Sequence, residues 1–256
     1  MKIFDLTGKT AVITGSSRGI GRAIAEQMAL LGANVVVSSR KAEACDEVVT
    51  GIKKAGGKAV GIPAHIGDKA ALQGLVDKAR QTFGAIDILV CNAAVNPYFG
   101  PLAEIPDDAF DRIMDSNVRS NLWLCNMVIP EMAKRKNGSV IIVSSIGGLR
   151  GSAMLGAYGI SKAADMQLAR SLAVEWGKHN IRVNAIAPGL VKTDFARALW
   201  ENKDLLAETL KQSPLGMIGE AVDIAGTAIL LASSAGRFIT GQTFVVDGGV
   251  TIAGRG

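Results

Sequence analysis

The chain alternates between short runs rich in Val and Ile and longer segments in which apolar residues recur every three or four positions. The short runs are typical of strands buried on both faces, and the longer segments are typical of helices. Such alternation predicts a doubly wound α/β fold, a parallel sheet with helices on both faces. The predicted strands span 10–14, 34–38, 58–62, 86–91, 139–144, 182–187 and 243–246, and the predicted helices span 20–31, 42–55, 69–83, 109–136, 157–179 and 221–233.

Composition fits one α/β domain over residues 1–256 and excludes several other classes. Apolar residues make up 48% of the chain, enough for a large core, and no linker or repeat divides it. The net charge of +5 comes without a long basic run, so we expect no nucleic-acid partner. The cysteines, Cys45, Cys91 and Cys125, match no metal or redox spacing. Lacking a signal peptide or a run of roughly 18 apolar residues, the chain is expected to be cytoplasmic.

A glycine-rich turn follows the first strand and precedes a helix. Glycines let a tight turn bring backbone amides against a diphosphate, and a helix N-terminus adds free N–H donors. The turn therefore predicts dinucleotide binding and a Rossmann fold. The residues expected at the cofactor here are Gly15, Ser17, Arg18, Gly19, Ile20 and Gly21.

The end of the second strand predicts which dinucleotide binds. An acidic residue there would hydrogen-bond the ribose 2′-hydroxyl of NAD, whereas arginine accommodates the 2′-phosphate of NADP. The chain has Ser39 and Arg40 at this point and no carboxylate, and Arg18 can approach the same phosphate. We therefore expect NADP(H) as the cofactor.

Tyr158 and Lys162 lie four residues apart on a predicted helix and should share one face. A unit charge ~4 Å away, at an effective dielectric constant of ~20, is worth roughly 4 kcal/mol. We therefore expect Lys162 to lower the pKa of Tyr158 toward neutrality, so that the phenol exchanges a proton with a carbonyl oxygen. Ser144 and Ser145 end the preceding strand, where a hydroxyl would face the ligand crevice.

The glycine-rich turn, the Asn92-Ala93 element, the serine and the Tyr-x-x-x-Lys pair together resemble the short-chain dehydrogenase/reductase family over nearly the whole chain. The resemblance implies that Ser145 rather than Ser144 binds the substrate oxygen. It also implies that Asn117 holds a water behind Lys162 and that Lys162 contacts the nicotinamide ribose. Further cofactor contacts that it implies are Asn92, Ala93, Ala94, Pro188, Gly189, Val191 and Thr193.

Two positions depart from the family pattern. Ala94 stands where the family usually has glycine, and His65-Ile66 stands where an aspartate commonly lies near the adenine. We count His65 and Ile66 among the cofactor residues, although the imidazole would meet either the adenine edge or solvent.

On the substrate side, the resemblance places segment 94–108 and a mobile lid at 191–212 beside the nicotinamide. Their aromatic residues, such as Tyr98 and Trp200, would cover an apolar carbonyl substrate or contact a neighbouring subunit. Segments 90–100 and 187–200 are especially similar to NADPH-dependent carbonyl reductases of the retinal-reducing type. The family also implies a homotetramer in which helices 109–136 and 157–179 pair across one interface.

The expected activity is the reversible reduction of a ketone or aldehyde with NADPH. Lys192, Arg197 and Lys203 near the lid offer a basic rim, so a 3-oxoacyl thioester reductase is an alternative. A non-catalytic NADP sensor or scaffold is an alternative of another class, although the chain carries all four candidate catalytic residues, Asn117, Ser145, Tyr158 and Lys162.

Overall fold

In a computed structural model that describes residues 2–253, seven strands form one sheet in which every pairing is parallel. The strand order is β3-β2-β1-β4-β5-β6-β7. The strands are β1 (Thr10–Thr14), β2 (Asn34–Ser38), β3 (Lys58–Gly61), β4 (Ile88–Cys91), β5 (Gly138–Val143), β6 (Ile181–Pro188) and β7 (Thr243–Val246). This arrangement confirms the doubly wound Rossmann fold. The ends of the predicted domain 1–256 lie outside the described residues.

Helices cover both faces of the sheet. They are α1 (Gly19–Leu30), α2 (Ala42–Lys54), α3 (Lys69–Phe83), α4 (Asp107–Met114), α5 (Ser120–Arg135), α6 (Gly156–Trp176), α7 (Arg197–Trp200), α8 (Lys203–Gln212) and α9 (Ala221–Ala232). Two buried apolar clusters separate the layers: one lies between the sheet and α3, α5 and α6, and the other lies between the sheet and α1, α2 and α9.

The switch point of the fold lies between β1 and β4. From β1 the chain runs outward through β2 to β3 and then returns to β4 on the other side of β1. The loops that follow β1 and β4 therefore diverge and leave a crevice at the carboxyl edge of the sheet, where open α/β sheets bind their ligands.

The predicted continuous helix over 109–136 is wrong in one respect. The structure begins a helix at Asp107, opens into a π-helical turn at Asp115–Arg119, and resumes as α5. A π turn accommodates an extra residue and often marks a functional site, and this one holds Asn117. Periodicity alone could not show it, because one extra residue barely disturbs an apolar pattern of this length.

Within residues 2–253, no helix has the length and apolar character needed to cross a membrane.

Candidate active site

The glycine-rich turn lies against the end of β4. A methyl group placed on Gly15 would be 2.9 Å from Ala93 Cα, and one on Gly21 would be 2.5 Å from Asn92 Nδ2. Gly15 and Gly19 also have φ values of +65° and +54°, which side chains disfavour. The turn therefore keeps side chains away from the N-terminus of α1, and its backbone is free to approach a ligand there. The other predicted residues of this turn are Ser17 and Ile20, both half-buried, and Arg18, which is exposed.

Asn92 fastens the turn to β4. Its side-chain amide donates to the Thr14 and Gly15 carbonyl oxygens at 2.9 and 3.2 Å. The Thr14 hydroxyl in turn accepts from the backbone amides of Asn92 and Ala93. These bonds hold the two edges of the crevice in a fixed relation. Ala94 follows directly and is half-buried.

The ends of β2 and β3 form the other side of the crevice. Ser39 accepts a backbone hydrogen bond from Ala64 at 2.9 Å, and Arg40 is exposed just beyond β2. The His65 ring is exposed, and its Nδ1 accepts from the Gly67 amide at 3.0 Å. His65 thus caps its own turn, and Ile66 beside it packs against the core.

Ser145, Tyr158 and Lys162 come together next to this crevice. Ser145 is the second residue after β5, and Tyr158 lies in the first turn of α6 with Lys162 one turn later. The Lys162 Nζ is 5.8 Å from the centre of the Tyr158 ring. The structure therefore brings together the three side chains that the sequence pattern predicted as partners.

Three glycines make this juxtaposition close. A methyl group on Gly147 would lie 3.4 Å from the Ser145 Oγ and 3.9 Å from carbons of the Tyr158 ring. One on Gly148 would be 2.6 Å from a backbone nitrogen of α6, and one on Gly159 would be 2.7 Å from the Gly147 oxygen. Side chains at these positions would push the Ser145 loop away from α6.

Ser144 has a different environment from Ser145. The Ser144 hydroxyl is buried and donates to the backbone oxygen of Lys162 at 2.7 Å. The Ser145 hydroxyl is half-buried and accepts from the Gly147 amide at 3.1 Å, so its own proton can be donated to the Tyr158 oxygen or to a ligand. Of the two serines, Ser145 has the hydroxyl that can meet a ligand.

Asn117 is held rigidly by the π turn. Its amide group exchanges two hydrogen bonds with the Val95 backbone, at 2.8 and 3.0 Å, and donates to the Ser161 hydroxyl at 3.0 Å. Its backbone oxygen accepts from the Asn121 side chain. Asn117 thus connects the loop after β4 to α6 below Tyr158.

Sequence reasoning missed the carboxylate beside Lys162. Asp165 is fully buried, and its Oδ2 is 2.9 Å from the Lys162 Nζ. Its Oδ1 accepts from the Asn121 amide at 2.9 Å. The signal was present, because residues three apart on a helix are neighbours, but a charged residue on a core-facing position ran against the apolar pattern.

The expectation that the pKa of Tyr158 falls toward neutrality is wrong for this structure. Burial raises the pKa of Tyr158 above its ordinary value, and this outweighs the lowering by the Lys162 ammonium and the Ser145 hydroxyl. The Asp165 carboxylate adds a smaller upward contribution. The prediction assumed a closer ammonium and could not include a counter-ion that it had not found.

The first residues of the predicted lid, 191–212, lie against the glycine-rich turn. A methyl group on Gly19 would be 3.1 Å from Thr193 Cγ2, and Arg18 is 3.8 Å from the Asp194 carboxylate. The Trp200 indole donates to the Thr193 oxygen at 2.8 Å, which anchors α7. The segment between β6 and the lid is bonded to its surroundings. Pro188 ends β6, the Gly189 amide donates to the Val246 oxygen, and Val191, the first residue of the lid, forms a parallel bridge with Gly219.

Apolar side chains beside Tyr158 and on the neighbouring loops form an apolar rim. The Phe195 ring from the lid lies 6.1 Å from the Tyr158 ring. Other large apolar side chains are more than a third exposed on the neighbouring loops, namely Phe99, Leu102, Leu149 and Met154. Tyr98 instead folds back and donates to the Pro101 oxygen at 2.9 Å.

The fold and the site define a class of protein: a doubly wound α/β chain with a glycine-rich turn at its switch point and a serine, a tyrosine and a lysine beside it. A family model described as enoyl-(acyl carrier protein) reductase matches residues 15–251. The chain belongs to the short-chain dehydrogenase/reductase family and is an oxidoreductase acting on CH–OH and C=O groups. Members of this family use NAD(H) or NADP(H).

Curated relatives and solved structures agree with this assignment. The chain is 42% identical to dehydrogenase/reductase SDR family member 4 of Oryctolagus cuniculus, covering 95% of this chain and 94% of that one. It is 42% identical to the Homo sapiens protein of the same name, covering 95% and 88%.

Among solved structures, a 7α-hydroxysteroid dehydrogenase complexed with NADH and 7-oxo glycochenodeoxycholic acid has a TM-score of 0.94 and 36% identity, covering 97% of this chain and 96% of its own. A gluconate 5-dehydrogenase of Burkholderia cenocepacia in complex with NADP and tartrate has a TM-score of 0.94 and 31% identity, covering 99% of each chain. The solved relatives thus include complexes with either dinucleotide.

Proposed function

We propose that this protein is an NADPH-dependent carbonyl reductase that converts a largely apolar ketone or aldehyde to an alcohol, and the reverse, with Tyr158 as its acid and base. The observation that carries the proposal is the meeting of Ser145, Tyr158 and Lys162 at the mouth of the crevice that the glycine-rich turn opens. The relatives named dehydrogenase/reductase SDR family member 4 support the same reaction class.

The residues around the crevice fit a dinucleotide. The glycine-rich turn is a cradle that side chains would fill, and the N-terminus of α1 offers N–H groups without helical partners. Within the described part of the chain, two of the three Lys162 N–H groups donate to protein oxygens, those of Val143 and Asp165. The third can donate to a nicotinamide ribose hydroxyl.

NADP(H) is favoured over NAD(H) by the residues after β2. Arg40 is exposed there, and the segment 38–41 contains no carboxylate that would bind a free 2′-hydroxyl or repel a phosphate. Arg18 is two-thirds exposed in its side chain, so its contact with Asp194 is weak and the guanidinium can turn to a phosphate.

When bound, the dinucleotide supplies the hydride that reaches the carbonyl carbon. Ser145 donates a hydrogen bond to the substrate oxygen as negative charge grows on it. Tyr158 gives its proton to that oxygen, which completes the alcohol. The Lys162 ammonium stabilises the tyrosinate left behind, and Asn117 holds the loop and helix that position both groups. In oxidation, each proton moves in the opposite direction.

The lid and its surroundings favour an apolar substrate. We propose that Phe195 closes over the substrate with residues 191–212 and excludes water, while the apolar rim contacts the rest of the molecule. The alternative 3-oxoacyl thioester would be favoured by the basic rim of Lys192, Arg197 and Lys203, although the Asp194 and Glu201 carboxylates beside Arg197 balance part of its charge.

The test is a panel of ketones, aldehydes and 3-oxoacyl thioesters, each assayed with NADPH and with NADH. We expect the highest kcat/KM for an apolar ketone or aldehyde with NADPH. Tyr158→Phe should lower turnover by at least ~10²-fold, the low end for a positioned acid. Its NADPH affinity, measured by fluorescence titration, shows whether the site is intact. Unchanged turnover in that variant would rule out the role given to Tyr158.

A further inference from the structure

We infer that Asp165 is a positioning residue that keeps Lys162 in its charged form and so maintains the cation on which Tyr158 depends. This inference rests on the proposed function, because only there does Tyr158 exchange a proton. The reasoning begins from the burial of the pair: the Lys162 side chain is 2% exposed and the Asp165 side chain is 0% exposed.

A buried ammonium without a counter-ion loses its proton readily, because burial disfavours the charged form. The Lys162 Nζ donates to the neutral Val143 oxygen at 3.0 Å and to the Asp165 carboxylate at 2.9 Å. A backbone oxygen carries only a partial charge, so the carboxylate is the partner that balances the ammonium.

Asp165 is in turn held in place from α5. Asn121 donates from one amide nitrogen to the Asp165 Oδ1 at 2.9 Å and to the Asn117 oxygen at 2.6 Å. Each oxygen of the carboxylate thus accepts a hydrogen bond, Oδ1 from Asn121 and Oδ2 from Lys162. Asn121 also connects the carboxylate to the π turn. Burial raises the pKa of Asp165 above its ordinary value, whereas the Lys162 ammonium and the hydrogen bond from Asn121 lower it and favour the charged carboxylate.

Within residues 2–253, the other titratable groups that face the pair add no competing charge. They are the Cys91 thiol on β4, which lies beside Cys125 on α5, and Tyr158 on α6 itself. The Cys125 contact and burial raise the pKa of Cys91, so that thiol stays neutral. Burial lowers the pKa of Lys162, but the Asp165 carboxylate raises it and the net shift is upward.

The consequence for Tyr158 is indirect but measurable. If residue 165 is neutral, no carboxylate there opposes the lowering of the Lys162 pKa by burial. Lys162 then loses its proton at a lower pH. Tyr158 then lacks the cation that lowers its pKa, and this loss outweighs the smaller upward effect that the Asp165 carboxylate has on the same pKa, so tyrosinate forms at a higher pH. A merely structural role of Asp165 would not move this titration.

The chain offers a direct readout because it contains two tyrosines, Tyr98 and Tyr158. In a Tyr98→Phe background, the ultraviolet absorbance of tyrosinate reports Tyr158 alone and requires no substrate. We expect Asp165→Asn in this background to raise the midpoint of the titration by at least about one pH unit. A midpoint that stays the same or falls would overturn the inference, because Lys162 would then hold its charge without Asp165.

The matched control is Glu175→Gln, which removes an exposed carboxylate from the same helix. It should leave the midpoint unchanged, and a shift as large as that of Asp165→Asn would contradict a specific role. If Asp165→Asn fails to fold, as judged by circular dichroism, Asn121→Ser decides instead, with a smaller shift expected in the same direction. Because the titration is independent of turnover, a wild-type protein that reduces no carbonyl would refute the proposed function without affecting this result.

Discussion

Arg40 is the residue on which the choice of dinucleotide depends most directly. It is exposed at the end of β2, where the 2′-phosphate of NADPH would lie. We expect Arg40→Ala to weaken NADPH binding by about tenfold or more and NADH binding far less, because a charged hydrogen bond contributes roughly 1.5–3 kcal/mol. Dissociation constants for the two dinucleotides provide the measurement.

Arg170→Ala is the control for this change, since Arg170 is an exposed arginine of α6 outside the crevice. It should alter neither affinity. An equal loss of affinity for NADPH and for NADH in Arg40→Ala would show that the arginine does not bind the 2′-phosphate.

The raised pKa of Tyr158 predicts different pH dependences for the two directions of the reaction. Burial keeps the phenol protonated through neutral pH, so the acid needed for reduction is fully present there. Oxidation needs tyrosinate, whose fraction grows about tenfold per pH unit below the pKa. We therefore expect the rate of alcohol oxidation to rise continuously from neutral to alkaline pH, measured at saturating alcohol and NADP. An oxidation rate that is highest at or below neutral pH would contradict this picture.

At the scale of elements, replacing Gly21 by alanine should have a different effect from the same change at other glycines in helices. A methyl group there would be 2.5 Å from both Asn92 Nδ2 and the Gly15 oxygen. Gly21→Ala should therefore destabilise the protein by roughly 1–3 kcal/mol, as overpacking does, and weaken dinucleotide binding. Urea unfolding and NADPH titration measure the two effects.

Gly51→Ala is the matched comparison, because Gly51 lies in α2 with nothing within 4 Å of an added methyl group. Alanine favours a helix over glycine by up to about 1 kcal/mol, so this variant should be more stable than the wild type. If the two substitutions change stability equally, the Asn92 side chain can move away from Gly21 without cost, and the close contact between them is not required.

The alternation of apolar runs and amphipathic segments was sufficient to predict the fold, since all seven predicted strands form and five of the six predicted helices are continuous, whereas the sixth is interrupted by the π turn. The pairing of Tyr158 with Lys162 also followed from their spacing, and the family resemblance added Ser145 to them. The π turn did not follow from spacing, because it depends on the contact of Asn117 with Val95, which joins two elements and which no local pattern encodes. Asp165 was missed for another reason, since a charged residue at a core-facing position of α6 runs against the apolar pattern although its spacing from Lys162 was visible.

At the scale of the whole molecule, apolar side chains remain exposed on α5 and α6, the helices that the family resemblance implies for assembly. Leu122 on α5 and Ile160 and Val174 on α6 are 38%, 44% and 87% exposed. We propose that these helices pair in a homotetramer, as the family resemblance implied. Val174→Asp should then reduce the mass measured by sedimentation while circular dichroism stays unchanged. A monomeric wild-type protein would contradict the proposed assembly.

The π turn at Asp115–Arg119 also limits how the sequence can change over time. Because a π turn takes up one extra residue, deleting one residue here would restore an ordinary helix and leave α5 in nearly its present orientation. Asn121 would still reach Asp165 and Leu124 would stay in the core, but the turn that brings Asn117 to the Val95 backbone would be gone. A descendant of this gene that lost one residue here would therefore keep its fold and lose the arrangement of its site.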